Sequence, residues 1–233
     1  WAISIVLFCL GVSGLPETRG LLMLGASVVS MILFVRHARR SDHAIWDVNL
    51  FFNNRVFTIS SLVSLLMYSA TYAVVVLISL YLQTLQGLSA THAGMVMMIQ
   101  PVIMASLAPV TGRLSDRIEP RILASAGITI TAVGLLLLSR LDADTSLAYV
   151  IGSLVLTGTG FSLFSPPNVN AIMSSVSEAH AGSASGAVAT TRLIGQLNSM
   201  VLVTLALALM MGNTPISPET YPELARAVEL SFS

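Results

Sequence analysis

The chain has 233 residues, 55% of them hydrophobic and only 9% charged, with a mean hydropathy of +0.83; soluble domains carry about 25% charged residues, so this is the composition of an integral membrane protein. Eleven basic residues balance eleven acidic ones, which leaves no field to collect nucleic acid. A single cysteine, Cys9, excludes an intramolecular disulfide.

Residues 1–15 form an apolar run closed by Pro16, Glu17-Thr18-Arg19 makes a tight turn, and residues 20–35 return. This pair reads as a helical hairpin. Because the chain opens on Trp1 inside an apolar run and residues 223–233 read as the start of a further helix, a fragment truncated at both ends is expected. Residues 36–57 are the longest polar connection before the tail. Arg36, Arg39, Arg40 and Arg55 accompany Trp46, Leu50, Phe51 and Phe52 there, a mixture suited to the headgroup zone of a bilayer. A domain boundary is expected at its end, dividing residues 1–57, a hairpin plus a cytoplasmic connection, from residues 58–233, a helix bundle lacking its last helix.

Residues 58–82 are long enough to cross a bilayer, which takes roughly 20 residues as a helix. Ser64, Tyr68, Tyr72 and Val76 recur every fourth position and share one face. Two phenols one turn apart either line an aromatic substrate path or hydrogen-bond a neighbouring helix, and both readings stand. Residues 92–111 lead back, with Met97, Pro101, Ala105 and Pro109 on one line. Both prolines lack a backbone donor and should bend this helix. Gln100 sets a polar group at mid-depth beside the first bend. His92 reads as an interfacial residue, because no second His or Cys stands at metal spacing.

The next ten residues, Gly-Arg-Leu-Ser-Asp-Arg-Ile-Glu-Pro-Arg at 112–121, hold five charges between two runs that hold none. They must form a short turn on one membrane face, and three arginines place that face in the cytoplasm. Gly112 is expected to let the chain leave its helix at a close approach to a neighbour. Asp116 would meet the positive end of the next helix dipole, with Arg117 and Arg121 able to pair with it or with lipid phosphate.

After an outward run over residues 122–139, capped by Arg140 to Asp144, residues 146–176 descend with Gly158, Ser162, Pro166, Asn170 and Ser174 at intervals of four. So small and polar a stripe must face protein or water. Pro166-Pro167 is expected to break this helix beside Asn168 and Asn170. On residues 183–211, Ser183, Ala187, Thr191, Gly195 and Ser199 keep the same strict spacing, which lets a neighbouring helix approach closely. Arg192, beside that face, is the charge set well inside a span, where it costs about 2.5–3.5 kcal/mol even on lenient scales. It must reach a cavity, a helix end or a headgroup. Counted by side, Arg36, Arg39, Arg40, Arg55, Arg113, Arg117 and Arg121 lie inside and Arg19, Arg140 and Arg226 outside, in keeping with seven spans.

The order Gly112-Arg113-Leu114-Ser115-Asp116-Arg117, then Pro120-Arg121, resembles the cytoplasmic loop signature of the major facilitator superfamily, in the copy found in its C-terminal half. Glu119 stands where that family has glycine, which bears on the tightness of the turn and its charge balance. Phe-Val-Arg-His-Ala-Arg-Arg at 34–40, with Asp-Val-Asn-Leu-Phe-Phe-Asn-Asn-Arg-Val-Phe at 47–57, is similar to the segment that joins an extra helix pair to the C-terminal bundle in fourteen-helix drug/proton antiporters. Gly-Phe-Ser-Leu-Phe-Ser-Pro-Pro-Asn-Val-Asn-Ala-Ile-Met at 160–173 resembles the twelfth helix of that branch.

The resemblance implies an all-α integral membrane fold, the C-terminal half of such a transporter with about seven transmembrane helices, in the cell (inner) membrane. It implies part of a proton-coupled exporter of small amphipathic or cationic compounds working by alternating access. One cavity wall would come from Tyr68, Tyr72, Gln100, Asn168, Asn170, Arg192 and Gln196. A cytoplasmic gating turn would comprise Gly112, Arg113, Asp116, Arg117 and Arg121, with Asp116 and Arg117 latching helix ends in one state and releasing them in the other. Expected partners are the small-molecule substrate, protons, membrane lipid and the missing N-terminal half of the same chain. In the family the chain resembles, the principal proton-binding carboxylate belongs to that half, and no acid lies within a span here, so coupling would lie mainly in the missing part. No cofactor, metal or nucleic acid is expected. Nor is an enzyme: there is no phosphate-binding loop, and Gly160-Phe161-Ser162-Leu163 lacks the second glycine and partner histidine of a serine hydrolase. A proton-coupled importer and a non-transporting membrane scaffold are the alternatives.

Overall fold

The computed structural model describes residues 18–38, 48–115, 117–142 and 144–211, with single positions at 4, 6, 7, 10 and 11. Cys9, Arg39, Arg40, Trp46, Asp116 and everything from residue 212 onward, including Arg226 and the expected last helix, lie outside the described residues. The described part is helical: α1 (Thr18–Ala38), α2 (Val48–Asn53), α3 (Arg55–Thr84), α4 (Ala90–Met97), α5 (Ile99–Ser115), α6 (Pro120–Leu138), α7 (Leu147–Ser174) and α8 (Ala181–Met211), with a 3-10 turn at Glu178–His180 before the last. Among the described residues, four stretches are long and apolar enough to cross a membrane: Arg55–Thr84, Ala90–Ser115, Pro120–Leu138 and Leu147–Ser174.

Alongside α1, the Ser27 hydroxyl donates to the Ser4 carbonyl at 2.7 Å and the Ser4 hydroxyl to Ser30 at 2.9 Å. Hydroxyls facing each other across two apolar segments have few other partners in lipid. The short α2 lies on the bundle edge, where Leu50 and Phe51 pack against the buried cluster of Phe57, Ile172, Ala184 and Ala187. Phe51 meets Phe57 edge-on at 4.8 Å. Asn54 then caps α3, accepting from the Phe57 amide at 3.0 Å and donating to the Ser175 carbonyl at 2.6 Å. One side chain thus starts α3 and ties it to the end of α7.

At the centre of the bundle is α7, against which α5, α6 and, less extensively, α3 pack, while α8 lies along α3. Lipid is as apolar as leucine, so the hydrophobic effect does little to bring helices together, and close contact must. Glycines supply it. A methyl group on Gly127 of α6 would lie 2.6 Å from both the Gly160 carbonyl oxygen and the Phe164 nitrogen of α7; one on Gly158 would lie 2.9 Å from the Gln100 carbonyl.

The end holding Gly87 and Asp142 is sealed. Tyr81, fully buried, donates to the Asp142 carbonyl at 2.7 Å, and the Gln86 amide donates to Tyr81 at 3.0 Å and to the Thr145 carbonyl at 2.8 Å. Gly87, at φ +64°, makes the turn out of α3. Leu77, Ile78, Leu82, Leu138, Val150 and Leu154 are buried beneath this lid.

The prolines behave differently at two places. Between α4 and α5 the helix is interrupted at Met98, three residues ahead of Pro101, whose missing N–H leaves the Met97 carbonyl without its helical partner. Pro166 and Pro167, in contrast, do not break α7, which runs unbroken from Leu147 to Ser174. The expected break is corrected for a physical reason: each proline's φ suits a helix, two missing donors orphan only two carbonyls, and α3, α5 and α6 hold α7 in place.

Candidate functional site

A cavity of about 500 Å³ lies between α3, the α4–α5 bend, α7 and α8. From α3 come Tyr68, Thr71 and Tyr72; from the bend Met97, Met98, Gln100, Pro101 and Met104; from α7 Leu154, Phe161 and Ser165; from α8 Arg192 and Gln196. Pro101 and Arg192 are not covered by other helices among the described residues, so the cavity is open on one side.

Close helix packing aims these side chains. Gly195 of α8 lets the backbone of α3 come so near that a methyl there would lie 2.7 Å from the Tyr68 Cβ and 2.9 Å from the Leu65 carbonyl oxygen. The small face expected on α8 is the one that meets α3: Ala187, Thr191, Gly195 and Ser199 are buried. Asn198 adds a hydrogen bond to Ser69 at 3.2 Å. With the backbones in contact, Tyr68 projects into the cavity. Its ring meets Phe161 edge-on at 5.3 Å and lies 5.7 Å from the Arg192 guanidinium carbon. Here a cation rests on the negative face of a ring, which contributes about 0.5–2 kcal/mol depending on solvation. Gln196, one turn beyond Arg192, and Gln100, just after the break at Met98, also line the space. No Asp or Glu lines the cavity among the described residues.

Of the residues named from sequence, Tyr68, Tyr72, Gln100, Arg192 and Gln196 therefore stand around one space. Asn168 does not. It is buried and donates to the Ser64 hydroxyl at 2.7 Å and the Ser60 carbonyl at 3.2 Å, tying α7 to α3. Asn168 borders a second groove of about 690 Å³ near Arg55, Glu119 and Arg121. Asn170 is exposed and lines neither space. Sequence reasoning missed Phe161, Met104, Thr71 and Ser165 as lining residues. Gln100 and Met104 stand one turn apart, so helical spacing from Gln100 points to the methionine.

At the charged turn, Arg113 projects from the last turn of α5, and the amides of Arg117 and Ile118 both donate to the Leu114 carbonyl, at 3.1 and 2.9 Å. Gly112 requires a correction. It lies inside α5, and a methyl on it would meet nothing within 4 Å, so no close approach calls for glycine there in this arrangement. Asp116 is outside the described residues. Arg121 pairs with Glu119 at 2.9 Å, with both side chains largely exposed, a contact contributing about 0–1 kcal/mol. Glu119 precedes Pro120, the first residue of α6, so the acid that replaces the family's glycine sits at the positive end of that helix.

Sequence comparison supports the transporter resemblance. A match to the Major Facilitator Superfamily covers residues 18–200. Among curated proteins, an uncharacterized transporter, YebQ of Escherichia coli, is 30% identical over 210 residues, 88% of this chain and 46% of its own length. The riboflavin transporter RibZ of Clostridioides difficile is 32% identical over 176 residues, 76% of this chain and 38% of its own. The multidrug efflux pump LfrA of Mycolicibacterium smegmatis is 30% identical over 208 residues, 88% and 41% respectively. The chain thus spans less than half the length of these relatives. Apolar helices packed through glycine, a helix interrupted beside a cavity and a family match across most of the residues lead to one conclusion: this chain belongs to the Major Facilitator Superfamily of membrane transporters.

Proposed function

We propose that the protein of which this chain is part is a proton-coupled exporter of small amphipathic compounds, an antiporter working by alternating access in the cell membrane. In this reading the chain is the C-terminal part of a fourteen-helix drug/proton antiporter, with residues 1–57 as the linking hairpin and connection. The observation that carries it is the open cavity of about 500 Å³ beside the helix interruption at Met98, with aromatic, amide and cationic groups meeting at its wall. Transporters of this general kind place substrate near the midplane where helices are bent or discontinuous.

Relatives named as a multidrug efflux pump and as a riboflavin transporter both handle small molecules. Amphipathic cargo suits the wall better than the cationic cargo also expected from sequence, because the charged group here is Arg192. No span carries an acid, so proton exchange falls to a carboxylate in the remainder of the protein. Substrate, protons, surrounding lipid and that remainder are the partners.

The test uses full-length protein in everted membrane vesicles with an acid lumen. An exporter accumulates a lipophilic fluorescent dye in the lumen, and an uncoupler abolishes the accumulation. Dye driven out of the lumen under the same gradient would make the protein an importer.

A further inference from the structure

We infer that the wall formed by Arg192 and Tyr68 selects aromatic anions, specifically compounds joining a carboxylate to a flat ring system. This rests on reading the cavity as the transport site and adds the class of substrate.

Arg192 projects from α8, lines the cavity and has no carboxylate beside it among the described lining residues. At the cavity wall this guanidinium carries an unmatched positive charge, and the Tyr68 ring face at 5.7 Å offsets only part of it. The cheapest complement is an anion delivered by the ligand. Guanidinium also has the right shape: its planar fork of N–H groups matches two carboxylate oxygens, which an ammonium cannot do. Gln196, one turn along α8, and Gln100 of α5 add amide donors to the same cavity lining. Beside this polar end stands an aromatic one, where Phe161 meets Tyr68 edge-on at 5.3 Å and Met104 adds a polarizable thioether. Polar and aromatic ends thus lie side by side, as they do in an aromatic acid.

A cationic ligand would set like charges together at the cavity wall, which is repulsive. A neutral ligand would leave Arg192 without an anion. The cavity volume of about 500 Å³ has room for a molecule of two or three fused rings.

The experiment uses the purified full-length protein and three naphthalene probes of similar size: 2-naphthylacetate, its methyl ester, and naphthylmethyl-trimethylammonium. Isothermal titration should rank the carboxylate at least about tenfold tighter than the ester and the ammonium weakest. Arg192→Gln should weaken the carboxylate about 10- to 100-fold while moving the ester less than about twofold, with Arg192→Lys between, since it keeps the charge and loses the fork. Equal or tighter binding of the ammonium by the unmodified protein would overturn the inference. So would a carboxylate preference that survives Arg192→Gln. The unmodified ranking needs no variant to fold. Binding in the expected order without proton-driven accumulation in vesicles would sink the export reading alone and leave the selectivity standing; accumulation without that order would do the reverse.

Discussion

The two long seams of this bundle are built from the same residue type to different ends. Along α6 and α7, Gly127 and Gly160 face each other, and Gly134 lies against Thr157, so that methyls on Gly127 and Gly134 would come within 2.6 Å of the other helix. Between α3 and α8 a single glycine, Gly195, makes the closest approach; its nearest neighbour is the Cβ of a cavity tyrosine. Backbone pressed on backbone at several levels leaves no low-energy way to slide. A seam with one glycine contact, a face of small residues and a hydrogen bond from Asn198 to Ser69 leaves more freedom. The first seam is a scaffold, and the second positions the cavity.

The contrast breaks most severely at Gly127. In Gly127→Val the added carbons would meet the Gly160 carbonyl and the Phe164 amide at 2.6 Å, main-chain atoms that no side-chain rotation can move. Overpacking costs about 1–3 kcal/mol in typical cores and more where nothing yields; we expect about 3 kcal/mol or more, seen as loss of the monodisperse peak in detergent. A Gly127→Val protein that melts within a few degrees of the parent would mean that α6 and α7 are separable.

Gly195→Ala tests the second seam with a smaller group. The methyl would lie 2.7 Å from the Tyr68 Cβ and 2.9 Å from the Leu65 carbonyl oxygen, atoms that no side-chain rotation moves, so α3 and α8 must part, at an expected cost of about 1–3 kcal/mol. Its larger consequence is at the cavity. Moving the Cβ of Tyr68 shifts its ring from Arg192 and Phe161, so affinity for an aromatic ligand should fall about tenfold, or 1.4 kcal/mol, while the protein still inserts. Unchanged affinity would show that Tyr68 does not read the ligand.

What could be read from the residues alone follows the same division. The small face of α8 was legible because five positions repeat at a strict spacing of four, and a helix with such a face needs a partner. The seam on α7 was not. Its visible stripe begins at Gly158 and runs through Ser162, whereas the face that meets α6 passes through Thr157, Gly160 and Phe164. A helix packed on several sides has more than one small face, and periodicity in one helix does not say which neighbour each meets. Asn168 illustrates the same limit: a polar group at mid-depth suits a cavity or a tie between helices. The choice depended on Ser64, more than a hundred residues earlier, lying opposite. Pro166-Pro167 misled because the sequence shows missing donors but not the three helices that hold α7 around them.

The smallest expected effect gives the sharpest view of the α3–α8 seam. Ser199 is fully buried on the small face of α8, and its hydroxyl has no hydrogen-bond partner among the described residues. In water-soluble proteins an unsatisfied buried hydroxyl costs about 1–3 kcal/mol, but in a membrane the separated helix is also surrounded by hydrocarbon, so little of that penalty changes on assembly. Ser199→Ala keeps the Cβ and the close approach while removing the orphan oxygen. Its stability should therefore stay level or rise by up to about 0.5 kcal/mol, and binding at the cavity should not change. Small size, rather than hydrogen bonding, would then be what this position supplies. A loss of about 1 kcal/mol or more would point the other way, to a hydroxyl that finds a partner in the assembled protein, and would move α3–α8 from a seam held by shape toward one held by polar contacts.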